Sequence, residues 1–167
     1  MNTLSATEIS ENLDVKELIE LEDFLANYAY ELDDTNIEAW VNYFDTNGIY
    51  QLTTSYNESS KLPLGIMYCK GHGMMIDRVS ALLTANIFEK HKYTHIFTKP
   101  IAKKLGEKIY CRSNFVVYRT MESGASEVFA TGKYSDQIIK SNKGLKFLER
   151  RVTIDSKRID TLIVYPI

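Results

Sequence analysis

The chain contains three histidines and two cysteines, so few residues are available for metal chemistry. Cys69 and His72 form a C-x-x-H motif, which is half of the ligand set of a Rieske iron–sulfur cluster. Such a cluster needs two thiolates and two imidazoles, and no Cys or His precedes Cys69 in the sequence. The chain is therefore not expected to hold a Rieske cluster by itself.

The other two histidines, His91 and His95, have the spacing of two metal ligands on one helix. Their neighbours Tyr93 and Thr94 favour a strand instead, in which the two imidazoles would lie ~13 Å apart. We therefore predict no metal site here, and we expect one of these histidines to complete a polar network at the end of a sheet.

A second possible chemistry is acid–base catalysis by Asp33. If this carboxylate projects into an apolar interior, desolvation would raise its pKa toward the range of a general base. Together with His95 and a tyrosine such as Tyr28 or Tyr43, it would form an acid–base pocket. The simpler interpretation is that Asp33 and Asp34 end one helix and begin the next. We favour the simpler interpretation, and the pocket stays open as an alternative.

Composition excludes several classes of protein. The formal net charge is −2, with 20 basic and 22 acidic residues, whereas a nucleic-acid-binding protein usually has a basic excess. The first residues form neither a basic segment nor an apolar core, and no apolar run approaches the ~20 residues of a membrane-spanning helix. We expect a cytoplasmic protein with reduced cysteines.

The spacing of apolar residues predicts helices first and strands afterwards. A helix is predicted from Asp14, because Glu17 follows at the spacing of a capping box and the apolar residues then recur with helical period. The next predicted elements are a helix at about 36–44, a turn at 45–48, a strand at 49–53, a loop at 54–63, a short strand at 64–68 and a helix at about 74–88. The predicted strands after that are 93–104, 109–121, 128–139, 145–154 and 159–164.

This order predicts an α+β domain rather than alternating βαβ units. Long consecutive strands with short turns favour a mainly antiparallel sheet, which must curve strongly into a cone to cover the N-terminal helices. Residues 1–13 are expected to form a flexible arm, and residues 14–167 a single domain.

Four segments, in this order, resemble the small (beta) subunits of Rieske-type aromatic-ring-hydroxylating dioxygenases, which have the fold of nuclear transport factor 2 and the SnoaL-like proteins. The segments are Glu38–Phe44 with Gly48–Tyr50, Met74–Val79 ("M-L-x-D-R-V"), Cys111–Arg119 ("S-N-F-x-V-Y-R") and Glu149–Asp155 ("R-R-V-x-L-D"). The segments 62–66, 85–88 and 91–95 look nearest to the branch acting on salicylate or anthranilate. Phe147 departs from the tryptophan that the family often has, and residues 98–101 depart from its commoner pattern.

The resemblance implies a cofactor-free structural subunit. In this family a separate large subunit holds the Rieske [2Fe–2S] cluster and a mononuclear iron, and trimers of each subunit assemble into a hetero-hexamer. Electrons come from NAD(P)H through a partner reductase. The alternative is a free-standing isomerase, dehydratase or small-molecule-binding protein that uses the Asp33 pocket.

Three charged residues in the resembling segments are candidates for ion pairs within the fold or at a subunit interface. They are Asp77, Arg78 and Arg151.

Overall fold

A computed structural model describes residues 10–60, 65–84, 89–157, 163 and 165–167. Helix α1 spans Val15–Asp33 and begins at the predicted capping box. The backbone N–H of Glu17 donates to the Asp14 side chain over 2.7 Å, and the Asp14 N–H donates back to the Glu17 carboxylate over 3.0 Å. The buried face of this helix carries an apolar stripe that packs against the sheet: Leu21, Leu25, Tyr28, Ala29 and Leu32.

The connection between α1 and the first strand is shorter than predicted, because the strand begins at Phe44 rather than at Ile49. Helix α2 (Ile37–Trp40) continues into a 3₁₀ turn (Val41–Tyr43), and strand β1 (Phe44–Thr54) follows directly. The predicted turn at 45–48 was wrong, because these residues bulge within β1 instead of reversing the chain. Gly48 is needed for space, since a Cβ there would lie 2.8 Å from the Phe147 carbonyl oxygen.

The predicted loop at 54–63 was also wrong in its first half, which forms a short helix, α3 (Ser55–Ser59). The Thr54 side chain caps this helix by accepting a hydrogen bond from the Asn57 N–H. Strand β2 (Met67–Lys70) begins three residues later than predicted, and helix α4 (Gly71–Thr84) begins three residues earlier. Residues 85–88, predicted as the end of α4, lie outside the described residues.

The remaining strands are β3 (His91–Phe97), β4 (Ile101–Leu105), β5 (Lys108–Met121), β6 (Ser126–Ser141) and β7 (Gly144–Ile154). The single strand predicted at 93–104 is two strands, both paired with β5, because Pro100 between them has no N–H to donate. The last predicted strand, at 159–164, falls almost entirely outside the described residues.

The described strands form one curved, open sheet in the order β2-β1-β7-β6-β5-β3, with β4 also paired to β5. All its pairs are antiparallel except β1 with β7, so the sheet is mainly antiparallel as predicted. Shifts in register within β1/β7, β5/β6 and β6/β7 mark irregularities of the kind that bend a sheet.

The concave face of this sheet covers α1 and α2 and encloses the core. The largest fully buried side chains are aromatic: Trp40, Tyr28, Tyr50, Phe44 and Phe147. Before α1, Glu11 pairs with Lys104 of β4 through two backbone hydrogen bonds of 2.9 Å. In the part of the chain that the structure describes, no helix is long and apolar enough to cross a membrane.

Candidate functional site: an acid–base pair beside a filled interior

The structure brings Asp33 and His95 into direct contact. Asp33 is the last residue of α1, and His95 lies on the inner face of β3. The imidazole Nδ1 lies 2.6 Å from Asp33 Oδ1, and the His95 backbone N–H donates to the same carboxylate over 3.0 Å. Because a carboxylate only accepts, this contact fixes the His95 tautomer with its proton on Nδ1.

The other imidazole nitrogen, His95 Nε2, is buried and has no hydrogen-bond partner among the described residues. Tyr93 lies two residues earlier on the same face of β3, and its hydroxyl is also buried without a hydrogen-bond partner among the described residues. Burial raises the pKa of the Tyr93 phenol well above its usual range, so this hydroxyl stays protonated. An oriented histidine beside a neutral phenol could hold or transfer a proton.

The two tyrosines predicted beside this pair lie elsewhere. Tyr28 accepts a hydrogen bond of 3.0 Å from the indole N–H of Trp40, deep in the core. Tyr43 packs edge-on against Tyr28, with ring centroids 5.4 Å apart, and also contacts Phe24. Both belong to the aromatic cluster between α1 and β7, so the predicted pocket is reduced to Asp33 and His95.

The centre of the cone is filled by an ion pair that the sequence analysis did not identify. Arg150 of β7 donates from Nη1 to Asp136 Oδ2 of β6 over 3.0 Å, and the two side chains are only 4% and 1% exposed. The guanidinium lies 3.8 Å from the ring centroid of Tyr134, 4.3 Å from that of Tyr28 and 4.9 Å from that of Phe147. Arginine thus occupies an aromatic cage in the interior.

The pKa values of this pair follow from its burial. Burial raises the pKa of Asp136 to about 7, although the Arg150 charge opposes the rise. Burial works against the charge of Arg150, but Asp136 and the surrounding tyrosines raise the guanidinium pKa above its ordinary value. Arg150 therefore remains charged, and Asp136 binds and releases a proton near neutral pH.

A sequence signal for this pair existed. Tyr134, Asp136 and Ile138 alternate along β6, so an acidic residue stands at an inward position between two apolar ones. In the Arg150–Arg151 doublet, consecutive strand residues must face opposite sides, so one of the two arginines had to point inward. The alternation of the flanking residues could have identified Arg150.

The cysteine and histidine of the C-x-x-H motif serve the fold. Cys69 is buried in β2, where burial raises its pKa, and His72 donates from Nε2 to the Phe44 carbonyl over 3.0 Å. Cys69 and Cys111 are free thiols. Among the described residues, no group of three or more His, Cys, Asp or Glu side chains could hold a metal ion.

The three residues predicted for ion pairs or interfaces all reach the surface. Asp77 is exposed on α4, and Arg78 on the same helix donates to the Ile163 carbonyl over 3.1 Å. Arg151 faces outward from β7 and pairs with Glu149 at 3.1 Å and Glu58 at 3.7 Å.

Together, the helices, the curved open sheet and the filled interior define an α+β protein of the cone-shaped class. Comparison with known proteins identifies the family within this class. The anthranilate 1,2-dioxygenase small subunit of Burkholderia cepacia is 35% identical over 161 residues, covering 94% of this chain and 99% of that protein. The terephthalate 1,2-dioxygenase terminal oxygenase component subunit beta 1 of a Comamonas species is 35% identical over 150 residues, covering 89% and 97%.

Among solved structures, the beta subunit of a proposed aromatic-ring-hydroxylating dioxygenase from Novosphingobium aromaticivorans superposes with a TM-score of 0.81 and 29% identity, covering 92% of this chain and 100% of that one. The family model for the ring hydroxylating beta subunit matches residues 27–161. The chain therefore belongs to the ring-hydroxylating beta subunit family, which confirms the resemblance and the fold that it implied.

Proposed function

We propose that this chain is the small, cofactor-free structural subunit of a multicomponent aromatic-ring-hydroxylating dioxygenase and that it supports assembly of the large subunit. The observation that carries this proposal is the family match across residues 27–161. The interior of the cone agrees with it, since Arg150 and its aromatic cage occupy the space that a substrate would need in a catalytic cone. In this role the chain contributes to an oxidoreductase without carrying out redox chemistry itself.

The proposed partner is a large subunit that holds the Rieske cluster and the mononuclear iron, in a hetero-hexamer of two trimers. The names of the curated relatives, which are small or beta subunits of dioxygenases, support a larger partner. We further propose that the complex hydroxylates an aromatic carboxylate, because the relatives' names specify anthranilate and terephthalate.

The assembly surface is proposed to include the outward-facing side of α4 and the outer face of the sheet. Asp77 and Arg78 lie on the first of these surfaces and Arg151 on the second. Apolar side chains that are unusually exposed for a monomer accompany them, and such surface is typical of subunit interfaces. Those on α4 and β2 are Tyr68, Met74, Ile76 and Leu83, and those on the outer sheet face are Ile96, Ile101, Tyr118 and Val128.

Co-expression with the proposed large subunit tests the proposal. Light scattering and iron analysis should detect a large, iron-containing complex that forms only when both chains are present. Arg78→Ala and Asp77→Lys should reduce the yield of complex. Glu107→Lys, a charge reversal at the exposed β4–β5 turn, is the matched control and should leave the yield unchanged. Normal assembly by both α4 variants would remove α4 from the interface, and no association of the native chains would contradict the proposal.

The Asp33–His95 contact favours a second candidate, a free-standing isomerase, dehydratase or small-molecule-binding protein. A carboxylate that orients a histidine is a common arrangement for general base catalysis. A turnover by the chain alone that Asp33→Asn abolishes would favour this candidate over the structural subunit.

A further inference from the structure

The inner face of β3 carries an alternating row of three functional side chains. His91, Tyr93 and His95 all face inward, at positions i, i+2 and i+4 of the strand. Ring centroids are 4.9 Å apart between His91 and Tyr93, and 6.2 Å apart between Tyr93 and His95. The row therefore runs from the half-buried start of the strand to the Asp33–His95 pair.

At the outer end of this row lies a surface pocket of about 540 Å³, which is the size of a small-molecule site. Its aromatic walls are His91 and Tyr165, whose ring centroids are 5.4 Å apart at an interplanar angle of 69°. Both rings also contact Tyr93, the buried phenol whose hydroxyl has no hydrogen-bond partner among the described residues. The pocket is lined by Thr35, Lys90, His91, Lys92, Thr120, Met121, Glu122 and Tyr165.

The charges of the pocket favour an anion. Lys90 and Lys92 are exposed at its rim, and Glu122 is the only acidic residue among its described lining, so the lysines exceed the acidic residues by one charge. His91 donates from Nδ1 to the Glu89 carbonyl over 2.8 Å, which orients its ring as part of the wall.

The backbone beside the pocket is strained. Thr35 has a φ of 60°, the only positive value among the non-glycine residues that the structure describes. A β-branched residue rarely adopts this conformation, and here it ends α1: the Thr35 N–H donates to the Leu32 carbonyl over 3.1 Å and the Asn36 N–H to the Glu31 carbonyl over 2.8 Å, as in a Schellman motif.

We propose that this pocket binds a small aromatic carboxylate, with its ring packed against the contacting rings of His91 and Tyr165 and its carboxylate at Lys90 and Lys92. The aromatic walls select a flat ring, and the lysines select the negative charge. The site belongs to the small subunit alone and does not depend on the proposed assembly with a large subunit.

Titration of the full chain with benzoate tests this proposal, with benzamide and cyclohexanecarboxylate as probes that lack the charge and the aromatic ring, respectively. We expect saturable binding of benzoate, weaker binding of both comparison compounds, and NMR shifts at Thr35 and Tyr165. Lys92→Ala should weaken benzoate binding about threefold or more and leave benzamide binding unchanged. Lys103→Ala, an exposed strand lysine outside the pocket, is the matched control.

Circular dichroism of each variant separates a binding defect from misfolding. Absence of saturable benzoate binding at millimolar concentrations would overturn the proposal. Equal binding of benzoate and benzamide, or equal effects of Lys92→Ala and Lys103→Ala, would also overturn it. Because only this chain is used, these outcomes are independent of whether the large subunit associates.

Discussion

Replacing Arg150 with methionine tests whether the buried ion pair holds the cone together. Methionine retains most of the length and apolar character of the arginine side chain, so the substitution removes the charge with little change in volume. It deletes the 3.0 Å hydrogen bond to Asp136 and the contacts with the rings of Tyr134, Tyr28 and Phe147.

The expected cost follows from these contacts. Removing one partner of a buried ion pair typically costs about 3–5 kcal/mol, because the other partner stays buried without its counter-charge. A desolvated cation–π contact contributes up to about 2 kcal/mol, and that loss is part of the same total. We therefore expect Arg150→Met to lower the free energy of unfolding by about 3–5 kcal/mol at about pH 8, a large share of the 5–15 kcal/mol typical of a domain.

The neighbouring Arg151 provides a matched control. It lies on the same strand and receives the same substitution, but it faces outward, its side chain is 43% exposed, and its partners are Glu149 and Glu58. Surface ion pairs of this kind contribute about 0–1 kcal/mol. Urea denaturation followed by circular dichroism, with Arg150→Met and Arg151→Met measured side by side, separates burial of the charge from loss of an arginine as such.

A difference of less than about 1 kcal/mol between these two variants would refute the reasoning. It would mean that the aromatic cage tolerates an apolar side chain as well as a guanidinium, and that the buried pair is not what stabilises the interior.

Two further predictions concern the same interior. The pKa of Asp136 is about 7 in the folded chain and about 3.9 when unfolded, so the stabilisation from its proton is complete below about pH 4 and is lost as pH rises through about 7. For the native chain, this loss lowers the free energy of unfolding by at most about 4 kcal/mol between about pH 4 and pH 8. Urea denaturation of Asp136→Asn over the same pH range should not show this decrease. The same pH dependence in the variant and the native chain would contradict the raised pKa of Asp136. Gly132→Ala would place a Cβ 2.1 Å from the Thr153 carbonyl oxygen and should lower the free energy of thermal unfolding by about 2 kcal/mol or more. Gly73→Ala is the control, because a Cβ there meets open space on α4 and should be neutral or slightly stabilising. Equal melting temperatures for the two glycine variants would contradict the packing argument.

Local patterns predicted the elements whose determinants are local. The capping box at Asp14 and Glu17 placed the start of α1, and the period-2 alternation placed β5, β6 and β7 to within two residues. The turn predicted at 45–48 failed because an Asn-Gly pair is compatible with both a chain reversal and a bulge. The bulge forms because β1 pairs with β7, some 100 residues away in the sequence. The local sequence around the Asn-Gly pair contains no information about this pairing.

The candidate site divides in the same way. Asp33 and His95 could be named because each residue type carries chemistry, but their contact spans 62 residues and depends on α1 packing against β3. Tyr28 and Tyr43 were grouped with them by residue type alone, whereas the packing of α1 against β7 buries Tyr28 in the core, and Tyr43 packs half-buried against it. Residue type indicates which chemistry is available, and the tertiary fold decides which of those residues meet.

The filled interior explains how one cone can support different functions. A catalytic cone needs an empty interior lined by polar groups, and that cavity costs packing energy. Here Arg150 occupies the centre and is stabilised by Asp136 and three aromatic rings, so the interior contributes to stability. The Asp33–His95 pair lies at the end of α1, away from this filled centre and next to the row that leads to the surface pocket. Any ligand chemistry of this chain is therefore expected at the β3 edge, and the remaining outer surface is free for assembly.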